Sequence, residues 1–174
     1  MILESIRRAS GGISRVELAE STGLSPQTIS NVVRRLLDDG LVREDRTVVS
    51  GPGKPRTVLE LEPNRLLAVG IHLDPSVVAI VVLNLCGEVV ASRRLDTPDM
   101  GDPQRTIALV AAAVEDVVAE TGLPRERIVG VGVAAPGPLN PERGVVTAPP
   151  LLDGWSEVEV VGPLSRALGL KVLL

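Results

Sequence analysis

Between positions 27 and 35 stand Gln27, Thr28, Ser30, Asn31, Arg34 and Arg35, a set of side chains that could read a nucleic-acid duplex. Glutamine and asparagine can pair with adenine through two hydrogen bonds, and arginine with guanine. Hydroxyl and guanidinium groups also reach phosphate oxygens. On a helix, Gln27, Asn31, Arg34 and Arg35 point away from Ile29, Val32, Val33, Leu36 and Leu37, with Thr28 and Ser30 on the flanks. An ordinary amphipathic helix would carry the same residues as a solvent face. The surrounding signals must therefore decide what the face is for.

Those signals describe two helices joined by a tight turn. Ser14 and Glu17 have the S-x-x-E spacing of a capping box, and Val16, Leu18 and Ala19 give the first helix a small apolar face. Gly23 ends it, since a residue without Cβ enters the left-handed region at little cost. Ser25 then suits an N-cap and Pro26 the first helical position, and Gly40 is a fitting stop. This is a helix-turn-helix, whose second helix offers its N-terminal residues to the major groove, so Ser25 joins the contact set. Ile2, Leu3 and Ile6, at helical spacing within Met1 to Ala9, form a first helix packed behind the motif.

Leu41 to Val49 and Arg56 to Leu61 read as two strands, with SGPGKP from Ser50 to Pro55 as a turn-rich tip. Such a hairpin is a wing, and Lys54 and Arg56 could reach a phosphate or the neighbouring minor groove. A plain surface hairpin with incidental charges has the same pattern.

Bulk properties bound the rest. The net charge of −4 divides unevenly: residues 1–62 carry nine basic and nine acidic side chains, residues 63–174 nine and thirteen. A neutral head implies modest non-specific affinity, because that contribution scales with the phosphates neutralised. Assembly into a dimer would compensate, since two heads on one duplex raise effective concentration. Cys86 alone excludes an internal disulfide framework and suits a reducing compartment; it reads as a small buried hydrophobe. The chain has no Phe or Tyr and a single Trp, Trp155, so aromatic stacking on single strands is not expected. No apolar run is long enough to span a bilayer and no signal-peptide pattern opens the chain, so a cytoplasmic protein is expected.

Pro63-Asn64 marks the expected joint between a head, 1–62, and a second domain, 63–174. Strands are expected over Leu66 to Leu73, Val77 to Leu85 and Glu88 to Leu95, forming an antiparallel meander. A helix from Pro103 to Glu120 follows, with Ile107, Val110, Ala111, Val114, Val117 and Val118 on its buried side. Ile128 to Ala134 is a short buried strand. It empties into AAPGPLNPERG, whose prolines and glycines are expected to forbid regular structure. A helix within Val158 to Leu168 and a strand from Lys171 complete an α/β layer in which at least two strands are parallel.

This order, the GVGVAAPGPLNPERGVVTAPP segment from Gly130 to Pro150 and the Gly154-Trp155 pair resemble the ROK family (repressor, open reading frame, kinase). The resemblance covers essentially the whole chain and is nearest to the family's transcriptional regulators. It implies a winged helix-turn-helix head followed by the actin-like ATPase fold shared with sugar kinases. It further implies double-stranded operator DNA as partner, homo-oligomers as the working form and a sugar or sugar phosphate as effector. Gly137 matches a family position near the sugar.

The departures are instructive. Family kinases carry an Asp-x-Gly-x-Thr loop that approaches ATP phosphates; here the stretch is His72-Leu73-Asp74-Pro75-Ser76. Asp74 puts a charge where phosphate oxygens would come, and Pro75 removes a backbone donor, so nucleotide binding is expected to be lost. Pro150 replaces a sugar-contacting Asn. The kinase base, the sugar-binding Glu and His and the zinc motif of relatives lie beyond the strand at Lys171 and have no counterpart here. One histidine and one cysteine cannot supply the four usual zinc ligands. Catalysis, a cofactor and a metal are therefore not expected.

The chain is expected to be the first half of a regulator, with exposed apolar surface around Val172-Leu173-Leu174 that favours self-association and weakens the second domain. The function expected is a sequence-specific regulator, a repressor of sugar-related genes, that uses helix 25–39 and a wing at 50–56. A non-catalytic protein pairing with a full-length relative is the alternative, and a sugar kinase a more distant one.

Overall fold

Ser14 and Glu17 behave as their spacing predicts. The Glu17 amide donates to Ser14 Oγ at 3.3 Å, and the Ser14 amide donates to Glu17 Oε2 at 2.9 Å. In the computed structural model, which describes residues 1–48, 56–97, 101–150 and 154–174, this box opens the second of three helices. They are α1 (Ile2–Arg8), α2 (Arg15–Thr22) and α3 (Pro26–Asp38). Gly23 ends α2 at φ 70°, in the left-handed region that a Cβ would strain. Ser14→Ala removes a buried cap and is expected to lower the stability of the head by about 1 kcal/mol. Urea denaturation would show it as a lower midpoint at unchanged slope; an unmoved midpoint would show that the cap is dispensable.

Strands β1 (Val42–Val48) and β2 (Arg56–Leu61) pair antiparallel from Val42 opposite Leu61 to Val48 opposite Arg56, with a bulge between Asp45 and Thr47. Ile13, between α1 and α2, adds a bridge to this hairpin: its amide donates to the Leu59 carbonyl at 3.1 Å, and the Leu59 amide returns a bond of 2.9 Å. Ile2, Ile6, Leu18, Ile29, Val33, Val42, Val58, Leu59 and Leu61 make the core of this unit, which spans Met1–Arg65. Only Leu18 of the expected apolar face of α2 is buried. Val16 lies two residues, about 200°, around the helix from Leu18 and is 67% exposed.

The second unit, Leu66–Leu174, holds a five-stranded sheet. Strands β3 (Leu67–Leu73), β4 (Val77–Asn84) and β5 (Val89–Asp96) form the expected meander. Helix α4 (Pro103–Glu120) leads to β6 (Ile128–Ala134), parallel to β3. After β6 come three two-residue strands, β7 (Leu139–Asn140), β8 (Val145–Val146) and β9 (Val158–Glu159). Helix α5 (Val161–Leu168) then returns the chain to β10 (Val172–Leu173), parallel to β6, giving the order β10-β6-β3-β4-β5. Leu67, Val69, Ile71, Val78, Ile80 and Val82 alternate into one core with the buried side of α4, with Leu164 and Leu168, and with Trp155. The other face, through Gly70, His72, Ala79, Val81, Gly132 and Ala134, lines a shallow groove of about 340 Å³. Leu173 is 59% exposed.

Two expectations need correction. The Pro- and Gly-rich run is not devoid of regular structure: β7 and β8 pair antiparallel, and β9 joins β8. Its prolines flank the paired residues instead of interrupting them, and Asn140 Oδ1 closes the turn by accepting the Arg143 amide at 3.1 Å. Gly144 completes that turn at φ +66°, where an added Cβ would stand 2.5 Å from Val161 Cβ. Its carbonyl accepts the Val160 and Val161 amides at 2.9 and 3.2 Å and so fixes the start of α5. Cys86, read as buried, is half-buried, because it sits in the turn after β4 with its amide donated to Asn84 Oδ1.

Candidate nucleic-acid interface

Helix α3 presents its polar stripe as the sequence predicts. Ser25 caps it by accepting the Thr28 amide at 3.2 Å, and the Ser25 and Thr28 hydroxyls bond each other at 2.9 Å. These two side chains therefore hold the helix start. Ile29 and Val33 are buried, while Gln27, Asn31, Arg34 and Arg35 are exposed and Ser30 is half-buried. Gln27 Nε2 donates to Asn31 Oδ1 at 3.3 Å. That bond does not use the Gln27 side-chain oxygen or the Asn31 amide group. Together they offer one acceptor and one donor, the complement of adenine N6 and N7. Asp38 continues the stripe and reverses its sign, so the stretch from Gln27 to Arg35 is the part that can lie against an anion.

Charge pairing explains how a neutral head can show a positive face. Arg7 and Arg8 hold Glu4 at 2.8 and 2.6 Å, and these bonds, Arg7's first, bring its carboxyl down to about 2. Arg15 pairs with Glu44 at 2.6 Å, and Arg43 with Glu60 at 3.1 Å and Glu62 at 3.5 Å. The Glu60 carboxylate, above all, raises the Arg43 pKa. Arg34 and Arg35 form no ion pair with a described residue. Their charge remains available on α3.

Lys54 lies outside the described residues. Arg56 opens β2 opposite Val48, at the loop end of the paired strands. Sequence reasoning missed a feature beside the stripe, a cleft of about 440 Å³ lined by Arg15, Val16, Ala19, Glu20, Pro26 and Ser30. The misread orientation of Val16 hid it.

In the second unit His72 stands opposite Ala134 in the parallel pairing of β3 and β6. The 74–76 turn and the segment carrying the exposed Gly137 therefore leave the sheet at the same, carboxyl ends of their strands. Asp74 Oδ1 accepts the Ser76 amide at 3.0 Å and the Ser76 hydroxyl at 2.7 Å, and these bonds lower its pKa. The turn thus spends its donors on its own carboxylate. Among the described residues no cluster of His, Cys, Asp and Glu could hold a metal ion, and no helix is long and apolar enough to cross a membrane.

Comparison with known proteins gives two family matches. A winged helix-turn-helix DNA-binding family model matches residues 1–43, and the ROK family model matches residues 68–174. The transcriptional regulator Rv0485 of Mycobacterium tuberculosis is 33% identical over 95% of this chain and 37% of its own length. A putative xylose repressor of Caldicellulosiruptor sp. is 25% identical over 93% of this chain and 40% of its own. The crystal structure of a ROK family transcriptional regulator, a homologue of the E. coli MLC protein, superposes with a TM-score of 0.73 at 24% identity, covering 99% of this chain and 43% of that one. That likeness supports the fold. The chain spans about two fifths of the length of the curated relatives it matches.

Proposed function

The chain belongs to the ROK family, and from that premise we propose that it is the operator-binding part of a transcriptional repressor of sugar-related genes. The observation that carries the reading is the capped α3 with Gln27, Asn31, Arg34 and Arg35 exposed and its two arginines unpaired among the described residues. Helix α3 enters the major groove, Gln27 and Asn31 read base edges, and Arg34 and Arg35 hold phosphate or guanine. The wing at 50–56 adds Lys54 and Arg56 on the backbone. Ser25 and Thr28 position the helix start against the duplex, and Ser30 flanks the contact.

The second unit supplies assembly, and the region of Gly137 responds to a sugar effector; the protein works in the cytoplasm as a homo-oligomer. Relatives named as regulators and a repressor support this reading. Selection of duplexes from a random pool tests it. Palindromic half-sites about one helical turn apart, or a multiple of that, are expected, since operator symmetry mirrors protein symmetry. A pool with no enriched sequence would reject the reading. If Arg35 touches phosphate, Arg35→Ala should weaken binding to all sequences alike and reduce the slope of log affinity against log salt by about one. An unchanged slope would remove that contact.

The protein is not a kinase in this reading. With the Ser76 amide and hydroxyl held by Asp74, the turn after β3 has no donors to offer a phosphate. Calorimetric titration with ATP is expected to give no saturable heat and sugar no ATP-dependent phosphorylation; saturable ATP binding would contradict this.

A further inference from the structure

Val16 is a β-branched hydrophobe left largely in water at the first turn of a helix-turn-helix. With Ala19 and the Pro26 ring it walls the cleft between α2 and α3, which Ser30 enters from the α3 side. The α3 wall of the cleft, Pro26 and Ser30, immediately precedes Gln27 and Asn31 in the chain, so the cleft borders the proposed DNA face.

Its lining excludes a phosphate as occupant. Glu20 brings a carboxylate to the rim, and Arg15, the lining's cation, is bound to Glu44 at 2.6 Å. An apolar wall with one hydroxyl instead matches the major-groove edge of thymine, which carries a C5 methyl beside the O4 acceptor. Cytosine lacks that methyl and replaces O4 with an amino donor. We infer that this cleft reads one thymine in each half-site, the methyl against Val16 and Pro26 and O4 accepting a hydrogen bond from the Ser30 hydroxyl. Val16 thereby becomes a specificity-determining residue that polar-face reasoning overlooks.

The inference rests on the DNA-binding reading, and its test separates the two. A duplex recovered by selection from a random pool is remade with each thymine replaced singly by deoxyuridine, which deletes only the methyl. Wild-type chain should lose about fourfold in affinity at one position per half-site, the worth of burying one methyl group. Val16→Ala, at an exposed position that leaves the fold intact, should bind the thymine duplex about as wild type binds the deoxyuridine one, and should lose nothing further on that replacement. Normal binding of the recovered duplex with no methyl effect at any position overturns the inference alone, as does an equal methyl effect in Val16→Ala. Failure to enrich any duplex overturns the DNA-binding reading and this inference with it.

Discussion

Asn31→Ala is expected to weaken binding to the selected operator by about 1–3 kcal/mol, roughly fivefold to 150-fold, while binding to random duplex changes little. The selectivity of the loss follows from position. Asn31 is exposed on the outward stripe of α3, two residues and so about 200° around the helix from each of the buried Ile29 and Val33, so its removal leaves the helix packing intact. It also shares a hydrogen bond with Gln27, so the two amides present their groups as a unit. Gln27→Ala should therefore relax the same base position, and the double variant should lose less than the sum of the singles. Gel shifts with operator and scrambled duplexes measure all three. An equal loss on both duplexes would assign Asn31 to the backbone instead.

Trp155→Ala is expected to destabilise the second unit by about 3–5 kcal/mol. Trp155 is the chain's single aromatic residue and is fully buried, in a core otherwise built from Val, Leu, Ile and Ala. No neighbouring side chain is large enough to refill its volume, so most of the space remains as a cavity. Urea denaturation followed by far-ultraviolet circular dichroism should show the Leu66–Leu174 transition moved to much lower denaturant. A shift worth less than about 1 kcal/mol would mean that the core collapses around the gap.

Local signals were the most legible part of the sequence. The Ser14–Glu17 box, the Ser25-Pro26 helix start and the Gly23 turn each act through neighbours in the chain, so residue type and spacing suffice to identify them. Helix α4 and strand β6 have the bounds that periodicity predicts, because a sustained apolar pattern leaves one face to bury. Contacts between distant residues were not legible. The Ile13–Leu59 bridge joins residues far apart in the chain, with only Gly11-Gly12 hinting at a break before it. The β7–β8 pairing was obscured by prolines that mark its edges. Val16 was misassigned because three apolar residues in a short helix do not all face inward. For the candidate interface, residue types identified the polar stripe, but which arginines remain available depends on acids brought in from β1 and β2, as Glu44 and Glu60 show.

The central claim is that α3 distinguishes one duplex sequence from another. Equilibrium competition between the selected operator and a scrambled duplex of equal length, at one fixed ionic strength and with the intact chain, addresses it most directly. A preference of roughly 10³-fold or more for the operator is predicted. Equal affinity for the two duplexes would contradict the account.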